Sequence, residues 1–157
     1  MKLSEIVPDG AIVARLKAHD RDAVVAEIVE TLSAARIVPA DLGKDLVASV
    51  LERERRGSTG FGRGVAVPHV KHARIKKMSA AIGLSEQGVE FNALDKQPVY
   101  SIFLLLSPAD KPEEHLQAME VIFKNLSQDK FRRFLRQATS AQDVRTLLED
   151  ADNQKLG

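Results

Sequence analysis

Apolar residues recur along this chain at two spacings, and the spacing changes where glycine and proline interrupt it. Val24, Val25, Ile28, Val29 and Leu32 keep the three-to-four interval of one helix face, with Asp20 ahead of them as N-cap. Pro39 opens a second helical pattern. Its stripe is Leu42, Leu46 and Val50, with Val47 and Leu51 beside it. The pattern runs into the charged stretch Glu52–Arg56 and stops at Gly57. Pro8-Asp9-Gly10 is a turn, and Ala11–Leu16 reads as a first strand. A further strand is expected at Val65–Val67, after a glycine-rich loop. Met78–Ser85 mixes small and apolar residues without charge, which suits a strand covered closely on at least one face. Tyr100–Leu106 is apolar nearly throughout, which suits a strand buried on both faces. Gln87–Pro98 between them is a turn or small hairpin.

After Ser107-Pro108 a helix begins, with Asp110 as cap and Pro112 in the first turn. Leu116, Met119, Ile122, Phe123 and Leu126 form its expected apolar face. Two shorter helical patterns follow, the last starting near Ser140 with Asp143 three residues on, a capping-box variant. Helices alternate with strands, so the expected architecture is α/β, a mixed sheet covered by helices. The 157 residues fit one domain spanning 1–157, with residues 152–157 as a flexible tail.

Composition narrows the function classes. Net charge is +1, so nothing in the balance favours nucleic acid or a membrane surface. There is no cysteine, which removes disulfides, thiol nucleophiles and cysteine-bound metals. MKLSEIVPDG is too polar and too broken for a signal peptide, and no apolar run reaches the roughly 20 residues of a membrane span. A cytoplasmic location is the expectation.

The chemistry concentrates in GSTGFGRGVAVPH, Gly57 to His69. Four glycines crowd a loop, and Pro68 fixes the backbone just before an imidazole. A lone histidine at a strand end is commonly just a hydrogen-bonded polar residue, and a glycine loop is commonly just a connection. Together they favour function, because reactive groups concentrate on loops held by a rigid scaffold. Ser58 and Thr59 add hydroxyls suited to a phosphate. No lysine follows the glycines as in GxxxxGK[ST], and a helix rather than a strand precedes them, so a nucleotide loop is a poor match. His115 borders the apolar row Met119, Ile122, Leu126, so its ring leans inward near a helix start. By itself it reads as a core histidine. The run LERERRG offers Arg53, Arg55 and Arg56 as guanidinium partners for a phosphoryl group, and spacing alone does not choose among them. His69 and His72 permit a metal site only on paper, because side chains three apart on a strand point to opposite faces. Glu113 and Glu114 adjoin His115 without changing that, and His19 takes no role.

LERERRGSTGFGRGVAVPH closely resembles the active-site segment of the fructose/mannitol/nitrogen-regulatory type of enzyme IIA domain of the bacterial phosphoenolpyruvate-dependent phosphotransferase system. His115-Leu116 matches that family's second motif, and the resemblance extends over nearly the whole chain. It implies a three-layer fold, a mixed, roughly five-stranded sheet with helices on both faces. It implies that His69 is the phosphoryl acceptor through Nε2, that His115 supports it, and that Arg53 stabilises phosphate charge. Ser58, Thr59 and Gly60 would line the site. No metal, nucleotide or other cofactor is implied. The implied donor is the phosphohistidine carrier protein, and the implied recipient is a IIB component or a regulatory target. Arg63 and Val70 depart from the pattern, which has a small polar residue such as asparagine and a glycine or alanine there. A free-standing domain of this kind leans toward the nitrogen-regulatory type. The alternative is a transport subunit feeding a fructose/mannitol-type IIB component. A degenerate, unphosphorylated binding module is disfavoured because all three key positions are filled.

Overall fold

A computed structural model gives the fold of residues 1–156. Six helices and six strands follow in the order α1 (Leu3–Ile6), β1 (Ile12–Val13), α2 (Arg21–Ala34), α3 (Gly43–Arg56), β2 (Gly60–Gly62), β3 (Val65–Ala66), β4 (His69–His72), β5 (Ser79–Val89), β6 (Val99–Pro108), α4 (Pro112–Leu126), α5 (Asp129–Gln137) and α6 (Ala141–Asp152). A 3-10 turn, Ala40–Leu42, leads into α3.

The sheet is organised around β6. It pairs antiparallel with β5 and parallel with both β3 and β4, and β1 and β2 lie at the two ends of the order β1-β5-β6-β3-β2. Ile102 to Leu106 are wholly buried, as a strand covered on both faces requires. Neighbouring residues of β6 face opposite helical layers. Phe103 meets Phe131 of α5, ring centroids 6.5 Å apart. Ile102 pairs with Gly83, which faces α2. A methyl group on Gly83 would lie 2.8 Å from the Ile28 side chain, so the small residues of β5 let α2 approach the sheet. Helices α2 and α3 pack together on that face, and α1, α4, α5 and α6 form the other layer.

Several boundaries differ from expectation. The sheet has six strands rather than roughly five, because chain interrupted at Val67-Pro68 rejoins β6 as β4. The first strand narrows to Ile12–Val13, while β5 runs on to Val89. Asp20 and Ser140 cap α2 and α6 by accepting from the backbone N–H groups of Ala23 and Asp143. Asp110 does not cap α4. Lys111 holds that position without a side-chain bond, and Pro112 sits at the start. The buried face of α4 is His115, Ala118, Ile122 and Leu126, whereas Leu116 and Phe123 face outward. Apolar spacing counted residue types and could not know which side the sheet covers. Among the described residues, no helix is long and apolar enough to cross a membrane.

Candidate functional site

His69 opens β4 opposite Leu105 of β6. β3 and β4 are two stretches along the same edge of β6, and Pro68 lies at the break between them. Its carbonyl accepts from the Leu105 N–H, so the chain stays attached to β6 across the interruption. The half-buried His69 ring lies 3.0 Å through Nδ1 from the Val67 carbonyl. A carbonyl can only accept, so Nδ1 carries the proton and donates it. In the neutral ring the lone pair then belongs to Nε2, which has no protein partner among the described residues.

Strand alternation turns His69 toward α4 and His72 toward α3. His115, in the first turn of α4, faces His69 with ring centroids 5.5 Å apart and planes inclined at 55°. His115 is 5% exposed, and its Nδ1 lies 2.6 Å from the hydroxyl of fully buried Ser107. Burial, then the neighbouring His69 and Lys71, push its pKa down to about 4. The ring is therefore neutral near pH 7 and adds no cation beside His69. His72 has both nitrogens occupied. Nε2–H donates to Asp45 at 2.7 Å, and Nδ1 accepts from the Arg74 N–H at 3.0 Å.

Arg53 lies in the last turn of α3, its guanidinium donating to the Gly57 carbonyl at 2.8 Å. This bond holds the guanidinium where the helix hands over to the glycine loop. Arg55 and Arg56 are exposed, and Arg56 pairs with Glu52. The loop is braced from beneath by Glu54, which is 3% exposed. Its carboxylate accepts from the Thr59 N–H at 3.1 Å and from the Thr59 hydroxyl. Ser58 donates its hydroxyl to the Phe91 carbonyl at 2.6 Å and accepts from the Gly60 N–H. The hydroxyls of Ser58 and Thr59 thus shape the loop rather than point at an open site. Gly60 has no room for a side chain, because a β-carbon would lie 2.9 Å from that of Ala93. Arg63 adopts φ of 60° in the turn after β2, the left-handed region that asparagine tolerates better. Its backbone N–H is held by Asp95, and Val70 is buried.

Sequence reasoning passed over three features. Glu54 falls four residues after Val50, so it continues the buried stripe of α3. A carboxylate on an apolar stripe is a signal that it has fixed partners. Lys71 shares the His69 face of β4 and supplies positive potential near His115. Exposed or partly exposed apolar side chains also lie on α4 and β2. Leu116 follows His115 directly and is 63% exposed, and partly exposed Phe123 meets Phe61 of β2 in a tilted contact, ring centroids 4.8 Å apart.

An imidazole with one open nitrogen beside a second, neutral imidazole suits group transfer. Comparison with known proteins points the same way. The family model "Phosphoenolpyruvate-dependent sugar phosphotransferase system, EIIA 2" matches residues 5–151. A nitrogen regulatory protein of Pseudomonas aeruginosa is 29% identical, over 98% of both chains. The crystal structure of nitrogen regulatory protein IIA-Ntr from Neisseria meningitidis superposes with a TM-score of 0.83 at 32% identity, covering 93% of this chain and 98% of that one. The fructose-specific EIIABC component of Bacillus subtilis is 28% identical over 97% of this chain, which spans 24% of that longer protein. With the family model covering nearly all of its length and the fold shared throughout, this chain belongs to the EIIA type 2 family of the phosphoenolpyruvate-dependent sugar phosphotransferase system.

Proposed function

We propose that this protein is a phosphoryl carrier of the nitrogen-regulatory type, taking phosphate on Nε2 of His69 from the phosphohistidine carrier protein. The bond from His69 Nδ1–H to the Val67 carbonyl carries this reading, because it leaves a nucleophilic lone pair on Nε2. Nε2 attacks phosphorus on the partner's phosphohistidine, an N–P bond forms, and the partner's P–N bond breaks with its electron pair returning to the partner's imidazole. Nδ1 of His69 keeps its proton, so the new phosphoimidazole ring is positive and the Val67 carbonyl dipole faces that charge. One phosphoramidate replaces another, so the step is nearly balanced and reversible.

Such transfer needs in-line positioning and charge stabilisation. Arg53 supplies a cation at the loop. In the tautomer in which Ser107 donates to its Nδ1, neutral His115 presents an Nε2 proton to a phosphoryl oxygen. Ser58, Thr59 and Gly60 form the braced loop wall. Exposed Leu116, next to His115, offers a protein partner apolar contact.

The P. aeruginosa and N. meningitidis relatives support a regulatory output, in which phosphorylation adds negative charge at the binding face and changes partners. The B. subtilis relative supports a second reading, a transport subunit handing phosphate to a IIB component. Incubation with labelled phosphoenolpyruvate, enzyme I and the histidine carrier tests the shared step. Acid-labile label is expected on the wild type and absent from His69→Ala. An unlabelled wild type removes both readings, and a labelled His69→Ala removes the acceptor. Adding a fructose-type IIB protein separates the outputs, since phosphate that stays on this chain supports regulation.

A further inference from the structure

A cavity of about 720 Å³ lies between the C-terminal end of α2, the 3-10 turn and the segment joining β4 to β5. Neither His69, His115 nor Arg53 lines it. Its size falls in the usual range for small-molecule pockets. The walls are aliphatic, formed by Ile6, Ile37, Val38, Ile75 and Met78, and no aromatic ring lines them for a base or other flat ligand to stack on. Polar recognition comes from one sign of charge. Arg36, Arg74, Lys76 and Lys77 line the cavity against the single carboxylate of Glu5.

Arg74 is already taken, since its guanidinium pairs with both carboxylate oxygens of Asp41. No salt bridge engages Arg36, Lys76 or Lys77 among the described residues. Arg36 occupies an unusual backbone position. The N–H of Ile37 reaches back to the Leu32 carbonyl, and Arg36 itself has φ of 60°. Glycine is the residue that such a helix end favours. A long cation therefore stands at the cavity where the backbone alone would select no side chain.

We infer that this cavity binds a medium-chain aliphatic carboxylate free in solution, its hydrocarbon body against the aliphatic walls and its head among Arg36, Lys76 and Lys77. The site is independent of the phosphoryl chemistry. An aliphatic wall selects a flexible chain, and three unpaired cations select an anionic end over a neutral one.

Methyl-detected NMR with dodecanoate below its micelle concentration tests the site. The methyl signals of Ile6, Ile37, Ile75 and Met78 should shift and saturate at one equivalent. Dodecanol should bind at least about tenfold more weakly, and so should dodecanoate to a variant carrying Arg36→Gly, Lys76→Gln and Lys77→Gln. Those three side chains are exposed, so the variant should keep its thermal midpoint and its His69 labelling. Ile37→Trp should fill the cavity and abolish the shifts. No shifts with wild type, equal binding of dodecanol, or undiminished binding by the charge variant each overturns the inference. So does capture by anionic phospholipid vesicles without any response to free dodecanoate, which assigns the basic rim to a membrane surface.

Discussion

His69 and His72 sit three residues apart on one short strand, yet the fold gives them opposite chemistry. Both rings have a strong partner at one nitrogen. For His69 the partner is a backbone carbonyl, which fixes the proton on Nδ1 and leaves Nε2 open. For His72 a carboxylate takes Nε2 and a backbone N–H takes Nδ1, so no lone pair remains. The α4 side of β4 offers a second imidazole, and the α3 side offers exposed charge at Asp41 and Asp45. The pair differs in which nitrogen the fold leaves unoccupied, not in residue type.

The largest test of that contrast is chemical. His69→Ala should lower phosphoryl acceptance by more than about a thousandfold, to the background of an acid-labile label assay, as expected for a lost nucleophile. His72→Ala should stay within about threefold of wild type in the same assay. Comparable loss in both would erase the distinction.

His115 sharpens the contrast through pH. Its folded pKa of about 4 lies below the ordinary 6.5, so the unfolded chain binds the proton more readily. The stability this group contributes is complete above about pH 6.5 and is lost as pH falls toward 4. Between pH 7.5 and pH 5 the loss should be about 2 kcal/mol. Urea denaturation of wild type and His115→Gln over that range should show the variant's stability curve flatter by this amount. Parallel curves would mean that the ring is not held neutral.

Glu54→Gln should cost about 1.5 kcal/mol, because an amide oxygen replaces a buried carboxylate that accepts twice from Thr59. Chemical denaturation measures the loss, and faster amide exchange at Thr59 and Gly60 would locate it in the loop. The smallest effect belongs to the His72 side. Asp45 is 64% exposed in its side chain, so Asp45→Asn should cost about 0.5 kcal/mol or less and nothing in high salt.

How much of this was legible depended on whether local chemistry and tertiary contact agreed. The apolar run at β6 announced itself because both faces of that strand are covered. Asp20 and Ser140 were legible because a cap needs only its own helix. The four residues of α1 are too few to show a period. Pro68 hid β4, because a strand signal interrupted by proline reads as an ending. On α4, residue type alone puts Leu116 and Phe123 on the apolar face, while Ala118 holds the buried position. On sequence alone Ser58 and Thr59 offer hydroxyls suited to a phosphate. Their true partners, Phe91 and Glu54, include a residue 33 positions away that spacing cannot reveal. The motif singles out His69 and His115, and the structure adds that their rings face each other and that Nε2 of His69 is open.

The break at Val67-Pro68 separates two kinds of information. Which ring nitrogen stays bare is decided within three consecutive residues, by Val67 and His69 alone. Where that nitrogen points is decided far along the chain, by the alignment of His69 with Leu105. A transplanted Val-Pro-His tripeptide would keep its protonation habit on any strand edge, but only a matching partner strand would give it a direction.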